Sequence, residues 1–299
     1  MSAIAVEDLS YRYGRRVALE HLDLLVQPGE VYALLGPNGA GKSTLLQILA
    51  GVRRSQQGKA RVLGSDVRSL SVRDRQRIGV VAEGQALPAW MRLEQWESYL
   101  APLYPTWDHA LASDLRERFG LDPRQRLGSL SRGTAMKAAL LGALAPRPEL
   151  LLMDEPFTGM DVLVKDELVR GLLDTAATEG WTIVVSTHDI AEVELLADHV
   201  GLLRNGRVQV SDSLESLQAR HQHVEIVGPT VLDVPVPPGA MRVERSSHRL
   251  SFCVTGDRDI AWVASLRSVL PADARVDVRS LSLRELFVLL AGAAEARVA

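Results

Sequence analysis

Hydrophobic spacing divides the chain before any other feature does. Leu22, Leu24 and Val26 recur at every second residue, and Pro28-Gly29 breaks the run, which predicts a half-buried strand ending in a turn. Val31 to Leu35 is continuously apolar, the pattern of a strand covered on both faces in a parallel sheet. A glycine-rich loop follows, then a helix over about Ser43 to Ala50. Between Gln85 and Pro148 the spacing becomes helical. Leu150–Met153 then restarts a strand–helix alternation: helix Val162 to Thr178, strand Thr182–Ser186, helix Ile190 to Ala197, strand His199–Leu203. Past about Arg220 the pattern changes again. Val234-Pro235-Val236-Pro237-Pro238-Gly239 is a break, Leu250–Val254 and Val276–Val278 predict short strands, and Ile260–Val269 and Ser282–Leu290 predict helices. The expected organisation is an α/β domain over 1–220, interrupted by a helical segment at about 85–148, and a small α+β domain over 221–299. The nucleotide-binding pattern below occurs once, with no internal repeat.

Composition narrows the class. An apolar share of 46% and a charged share of 24% are ordinary for a globular protein, and 299 residues suffice for one large and one small domain. The formal net charge of −3 gives no global basic balance for nucleic acid. Cys253 is the only cysteine, so no internal disulfide forms, which fits a reducing cytosol. The N-terminus lacks the charged and apolar regions of a signal peptide, and no apolar run approaches the roughly 20 residues that span a bilayer. A membrane role would therefore need spans from another chain.

The chemistry starts at Gly36-Pro37-Asn38-Gly39-Ala40-Gly41-Lys42-Ser43-Thr44, which matches G-x-x-x-x-G-K-[ST] between a predicted strand and a predicted helix. Glycines let backbone N–H groups converge on phosphate oxygens, and the helix N-terminus adds unpaired donors. Lys42 suits the β- and γ-phosphates, and the Ser43 hydroxyl suits Mg²⁺. Further on, Leu150-Leu151-Leu152-Met153-Asp154-Glu155 is a buried strand ending in two acids, where open α/β sheets place ligands. Asp154 suits Mg²⁺, directly or through water, and Glu155 suits the attacking water.

These pieces resemble the ABC transporter ATPase superfamily, over about residues 3–219. Tyr13 lies 23 residues before Gly36, where the family has an aromatic that stacks on adenine. Leu130-Ser131-Arg132-Gly133-Thr134 stands where the family has its signature, usually Leu-Ser-Gly-Gly-Gln. Gly159-Met160-Asp161 matches the loop after the glutamate, and Ser186-Thr187-His188-Asp189 the switch-histidine segment. The resemblance implies a P-loop NTPase core of mixed sheet with an antiparallel β subdomain and an inserted helical subdomain. It implies ATP and Mg²⁺ as cofactors. It also implies a sandwich in which each ATP lies between one P-loop and the partner subunit's signature, with Ser131, Arg132, Gly133 and Asp161 acting in trans and His188 contacting the γ-phosphate. The dimer is either homo- or heterodimeric.

Two departures from the family pattern bear on function. The glutamine expected after Ile78–Val81 is replaced by Glu83, unless Gln85 swings in; a carboxylate still ligates Mg²⁺. In the signature, Arg132 either approaches ATP or faces solvent, and Thr134 keeps a hydrogen-bonding group on a shorter side chain. Together with the tail Leu281-Ser282-Leu283-Arg284-Glu285-Leu286-Phe287, they are similar to the exporter branch whose ATPases pair with separate six-span permeases, the bacterial multidrug and antibiotic type. An importer ATPase and a soluble ABC ATPase are the alternatives. The second typically carries two motor halves, coiled coils or zinc motifs, all absent here. The expected placement is cytoplasmic, on the inner face of the cell membrane through a polytopic permease, with no covalent anchor. Trp90, Trp96, Tyr99, Tyr104 and Trp107 cluster in the helical segment and serve either a permease-docking groove or that subdomain's own core. His221 and His223 form an H-x-H pair with no further ligand set in view.

Overall fold

A computed structural model describes residues 2–228, 234–256, 262, 270 and 274–296, without the side chains of 291–296. Strands β1 (Ile4–Tyr13) and β2 (Arg16–Val26) pair antiparallel from Ile4↔Val26 to Tyr13↔Arg16. Adding β4 (Gln57–Val62) and β5 (Ser65–Asp66) gives a sheet in the order β2-β1-β4-β5. Its inward residues Ile4, Leu9, Leu22, Val26, Ala60 and Val62 share one core with Leu34 of β3 (Val31–Leu35) and with Leu45 and Ile48 of α1 (Lys42–Leu49).

The second sheet carries the functional ends. Its order is β10-β9-β3-β8-β7-β6, from β10 (Arg207–Ser213), β9 (His199–Arg204), β3, β8 (Thr182–Thr187), β7 (Leu150–Asp154) and β6 (Ile78–Val81). The pairs β3–β9, β3–β8, β7–β8 and β6–β7 are parallel. All residues of β3, β7 and β8 are buried, as a sheet covered on both faces demands. Asn205-Gly206, both at positive φ, fold β9 back on β10 as a type I′ hairpin, which makes the sheet mixed. Tyr32, buried in β3, donates to or accepts from Ser211 Oγ at 2.8 Å, and burial pushes its phenol up to about 12. Helix α2 (Val72–Gln76) precedes β6; α6 (Val162–Glu179) and α7 (Ile190–Leu196) flank β8.

Between β6 and β7 lie α3 (Leu93–Leu100), α4 (His109–Arg118) and α5 (Arg132–Leu144), the expected helical insertion. The chain divides into compact units at Ser211/Asp212, about nine residues ahead of the boundary expected from composition. The shift has a local cause: α8 (Leu214–Arg220) packs on β11 (His221–Val227), with His221 Nδ1 bonded to Leu217 O at 2.7 Å. In the second unit, β11, β12 (Met241–Arg245), β13 (Arg249–Thr255) and β14 (Arg275–Ser280) form a sheet ordered β12-β13-β11-β14, followed by α9 (Leu283–Ala296). Val224, Ile226, Leu250, Phe252 and Val254 are its core. The helix expected at Ile260–Val269 lies outside the described residues apart from Trp262.

Candidate functional site

Adjacent parallel strands β3, β8, β7 and β6 end on one side, and each delivers one part of the site. The phosphate loop follows β3, His188 follows β8, Glu155 follows β7 and Glu83 follows β6. A cleft of about 360 Å³ opens there, lined by Tyr13, Arg16, Asn38 to Thr44, Glu83, Glu155, Thr158 and His188.

The loop between β3 and α1 depends on backbone only glycine allows. Gly41 caps α1 at φ 113, and a Cβ there would stand 2.4 Å from Ala18 O. No side chain caps α1 and no acid sits in its first turn, so its N–H groups face the cleft without a side-chain partner. Lys42, 5% exposed, starts this helix, where the dipole disfavours a cation. Its Nζ donates to Gly36 O at 2.6 Å and Pro37 O at 3.3 Å, and lies 3.1 Å from Glu155 Oε1.

Glu155, 7% exposed, sits at φ +46, a left-handed conformation that a non-glycine residue adopts at a cost of about 1–3 kcal/mol. Its backbone N–H reaches Ser186 O and Ser186 Oγ, both at 3.1 Å, which fixes the turn to β8. The two oxygens of the carboxylate are held differently. Oε2 accepts from Thr158 Oγ1 at 3.1 Å and lies 2.8 Å from His188 Nδ1. Oε1 has the Lys42 charge beside it but accepts no well-aligned hydrogen bond. Asp154 is buried beneath, outside the cleft lining, its Oδ1 accepting from Ser186 Oγ at 2.5 Å.

This assembly of a phosphate loop, a paired lysine and a strained glutamate against a histidine has named relatives. A family model described as ABC transporter matches residues 19–158. The Nod factor export ATP-binding protein I of Rhizobium etli is 33% identical over 304 residues, covering 98% of this chain and 94% of that protein. The chain belongs to the ABC transporter ATPase family. The sulfate/thiosulfate import ATP-binding protein CysA of Vibrio cholerae is 34% identical over 227 residues, covering 73% of this chain and 60% of its own. A solved structure of the ATP-binding subunit of an ABC transporter superposes with a TM-score of 0.67 at 28% identity, over 73% of this chain and 92% of that one. Members of this family bind and hydrolyse ATP, and the fold is that of an α/β P-loop NTPase.

Within this ABC ATPase, Tyr13 is held from three directions. Its hydroxyl meets Thr44 Oγ1 at 3.3 Å, the Tyr11 ring packs against it at 5.1 Å, and the Arg53 guanidinium lies over it at 4.7 Å. Glu83 borders the cleft, while Gln85 borders a separate groove of about 230 Å³ with Trp96, Leu100 and Tyr104. Besides Asp154, the four residues expected to act in trans do not border the cleft of their own chain. Ser131 caps α5 by accepting from Thr134 N at 3.2 Å, and shares a 2.8 Å bond with the Thr134 hydroxyl. Arg132 lies against Gly159, where a Cβ would be 2.7 Å from its guanidinium. Gly133 faces Val164, and Asp161 caps α6 by accepting from Leu163 N at 2.9 Å.

The aromatic cluster splits: Trp96 is 7% exposed and fills the helical core, whereas Trp90 at 72% and Tyr99 at 59% stand in solvent. Among the described residues no group of three His, Cys, Asp or Glu could hold a metal ion, and His221 is already bonded to a carbonyl. Sequence reasoning missed Thr158 and Arg16 in the lining and Arg53 behind Tyr13. Thr158, three residues after Glu155, was the one within reach of a local pattern.

Proposed function

We propose that the chain is the ATP-hydrolysing subunit of an ABC exporter, working as one half of a nucleotide sandwich and driving a separate membrane permease. The observation that carries this reading is the Glu155 carboxylate, strained, buried and bonded at Oε2 to His188 and Thr158 while Oε1 lacks a well-aligned donor. A carboxylate held so accepts a proton from a water placed at the γ-phosphate. Lys42 exchanges its carbonyl and Glu155 contacts for the β- and γ-phosphates, and this frees Glu155. His188 holds Glu155 from the open side of the cleft and reaches the same phosphate. Tyr13 stacks on the adenine.

Ser43 and Glu83 border the cleft and offer oxygen donors that fit Mg²⁺, while Asp154, buried behind the lining on Ser186, would act through water; with few carboxylates at hand, phosphates and water would complete the shell. The ion supplies neutralisation of phosphate charge. Ser131, Arg132, Gly133 and Asp161 are absent from the lining of their own cleft, which suits contact with nucleotide held by a second copy or a related subunit. Exposed Trp90 and Tyr99, and the groove bordered by Gln85, Leu100 and Tyr104, suit a helix of the permease. Among the described residues no helix is long and apolar enough to cross a membrane; in this reading the permease supplies the spans and holds the subunit on the inner face of the membrane. Export is favoured because the exporter subunit aligns over 98% of the chain, against 73% for the importer subunit.

The test uses purified protein with its permease in vesicles. Glu155→Gln is expected to lower hydrolysis about a hundredfold or more while retaining ATP, and to accumulate as a dimer. Hydrolysis at the wild-type rate would refute the assignment. Substrate movement out of inside-out-equivalent orientation would reassign the direction to import.

A further inference from the structure

Arg53 has no part in the phosphate chemistry and matches no motif, yet it joins two elements of the site. It stands just past the end of α1, where its N–H and that of Val52 both bond Gln47 O, at 3.0 and 2.9 Å. Its Nε donates to Gln47 Oε1 at 3.0 Å and its Nη1 to the Tyr11 hydroxyl at 3.0 Å. The same guanidinium covers two rings, at 5.4 Å from the centre of Tyr11 and 4.7 Å from that of Tyr13. Nearby, Gln56 exchanges bonds with the backbone of Arg12 at 2.8 and 3.1 Å, so the end of β1 is pinned to the 53–56 segment at two points. Tyr13 remains 43% exposed and borders the nucleotide cleft.

We propose that Arg53 is the positioning residue for base recognition: stacked on Tyr13 and bonded to Tyr11, it fixes the ring that receives the purine of the nucleotide. The inference rests on Tyr13 being the base-stacking residue of the proposed ATP site. Two physical effects act together. A planar cation with five donors locks the ring and its neighbour in one orientation, so less freedom is lost when a base stacks. A positive charge over a π-face also draws electron density from the ring, which makes it a better surface for an electron-rich purine. Arg53 touches neither phosphate nor reacting water, so it acts on affinity for the base and leaves the chemical step alone.

The experiment measures equilibrium binding of ATP and of inorganic tripolyphosphate, the base-free control, alongside steady-state hydrolysis. Arg53→Ala is expected to weaken ATP about two- to fivefold, leave tripolyphosphate unchanged, and raise KM without lowering kcat. Arg53→Lys restores part of the loss through charge alone, whereas Arg53→Met, which keeps the apolar stem and guards against a folding artefact, does not. In a Tyr13→Ala background, Arg53→Ala adds nothing further. Equal weakening of ATP and tripolyphosphate, or a loss that persists without Tyr13, overturns the proposal. If Tyr13→Ala itself leaves ATP binding unchanged, the reading of the base site fails as well; if it weakens ATP and Arg53→Ala does not, only the role of Arg53 fails.

Discussion

Lys165→Met should destabilise the protein in a pH-dependent way, by about 2–3 kcal/mol at pH 7 and about 1 at pH 5. Glu192 is 3% exposed on α7 and pairs with Lys165 of α6 at 2.7 Å, while Thr187 donates to its other oxygen at 2.5 Å. Lys165 also meets Asp189 at 3.1 Å. Burial works against charge on Lys165, but its bonds to Glu192 and Asp189 outweigh that and lift its pKa above the usual lysine range. Removing one partner of a buried pair costs about 3–5 kcal/mol when the orphan stays charged. The orphan has an escape, because a glutamate takes up a proton at about 1.4 kcal/mol for each pH unit above roughly 4.3. That caps the penalty near 3.7 kcal/mol at pH 7 and near 1 at pH 5, and residual access of water at the lysine end lowers the first figure.

The sign follows from linkage. The folded variant holds the proton more tightly than the unfolded chain, so its stability falls as pH rises from about 4.3 toward neutrality. Urea unfolding followed by tryptophan fluorescence at both pH values reads the difference, against wild type at the same pH. Lys165→Met/Glu192→Gln should be more stable than Lys165→Met alone, since no orphan charge remains. A penalty equal at pH 5 and 7, or a double variant no better than the single one, would refute the reasoning.

Two further outcomes follow from local geometry. Gly41→Ala places a Cβ 2.4 Å from Ala18 O at φ 113, so it should cost about 3 kcal/mol or more in thermal stability assays and abolish ATP binding; a variant that binds normally refutes the steric argument. Ser71 caps α2 and Asp74 closes its capping box; bonds from Ser71 and then Ser65 hold the Asp74 carboxyl at about 2, so its contribution is present above pH 4 and lost as pH falls toward 2. NMR titration of Asp74 in wild type and Ser71→Ala reads this, and an unchanged midpoint in the variant counts against the cap.

Sequence revealed the site wherever its signal was local. A buried strand, a glycine loop and a helix start are contiguous, so the lining residues Asn38–Thr44 could be read from one stretch, and Glu155 from the end of another. Residues placed by distant contacts were not legible. Arg53 matters through rings about forty positions away, and Arg16 through its reach toward Gly39. Strand β10 was missed although Asn205-Gly206 announced its hairpin, because Arg207-Val208-Gln209-Val210 is too polar to stand out as a buried strand. In β4 only Ala60 and Val62 face the core, too few for the alternation to register.

Charge placement at two helix starts also bears on the proposed sandwich. Helices α1 and α5 each begin with a cation, Lys42 and Arg132, and neither has an acid in its first turn. Both starts therefore combine a positive dipole end with a positive side chain, an arrangement that stabilises only beside an anion. At α1 the anion is internal: Glu155 reaches Lys42 at 3.1 Å. At α5 no carboxylate among the described residues pairs with Arg132, which rests on the bare backbone of Gly159. Gly159 lies on the loop that joins Glu155 to Asp161, so the unbalanced cation and the loop after the proposed base are in direct contact. Nucleotide phosphate presented by a second subunit would balance Arg132 and at the same time press on that loop. Under the proposed sandwich, the substitution of arginine for the family's glycine thus ties arrival of the partner's ATP to the position of Glu155 within the same chain.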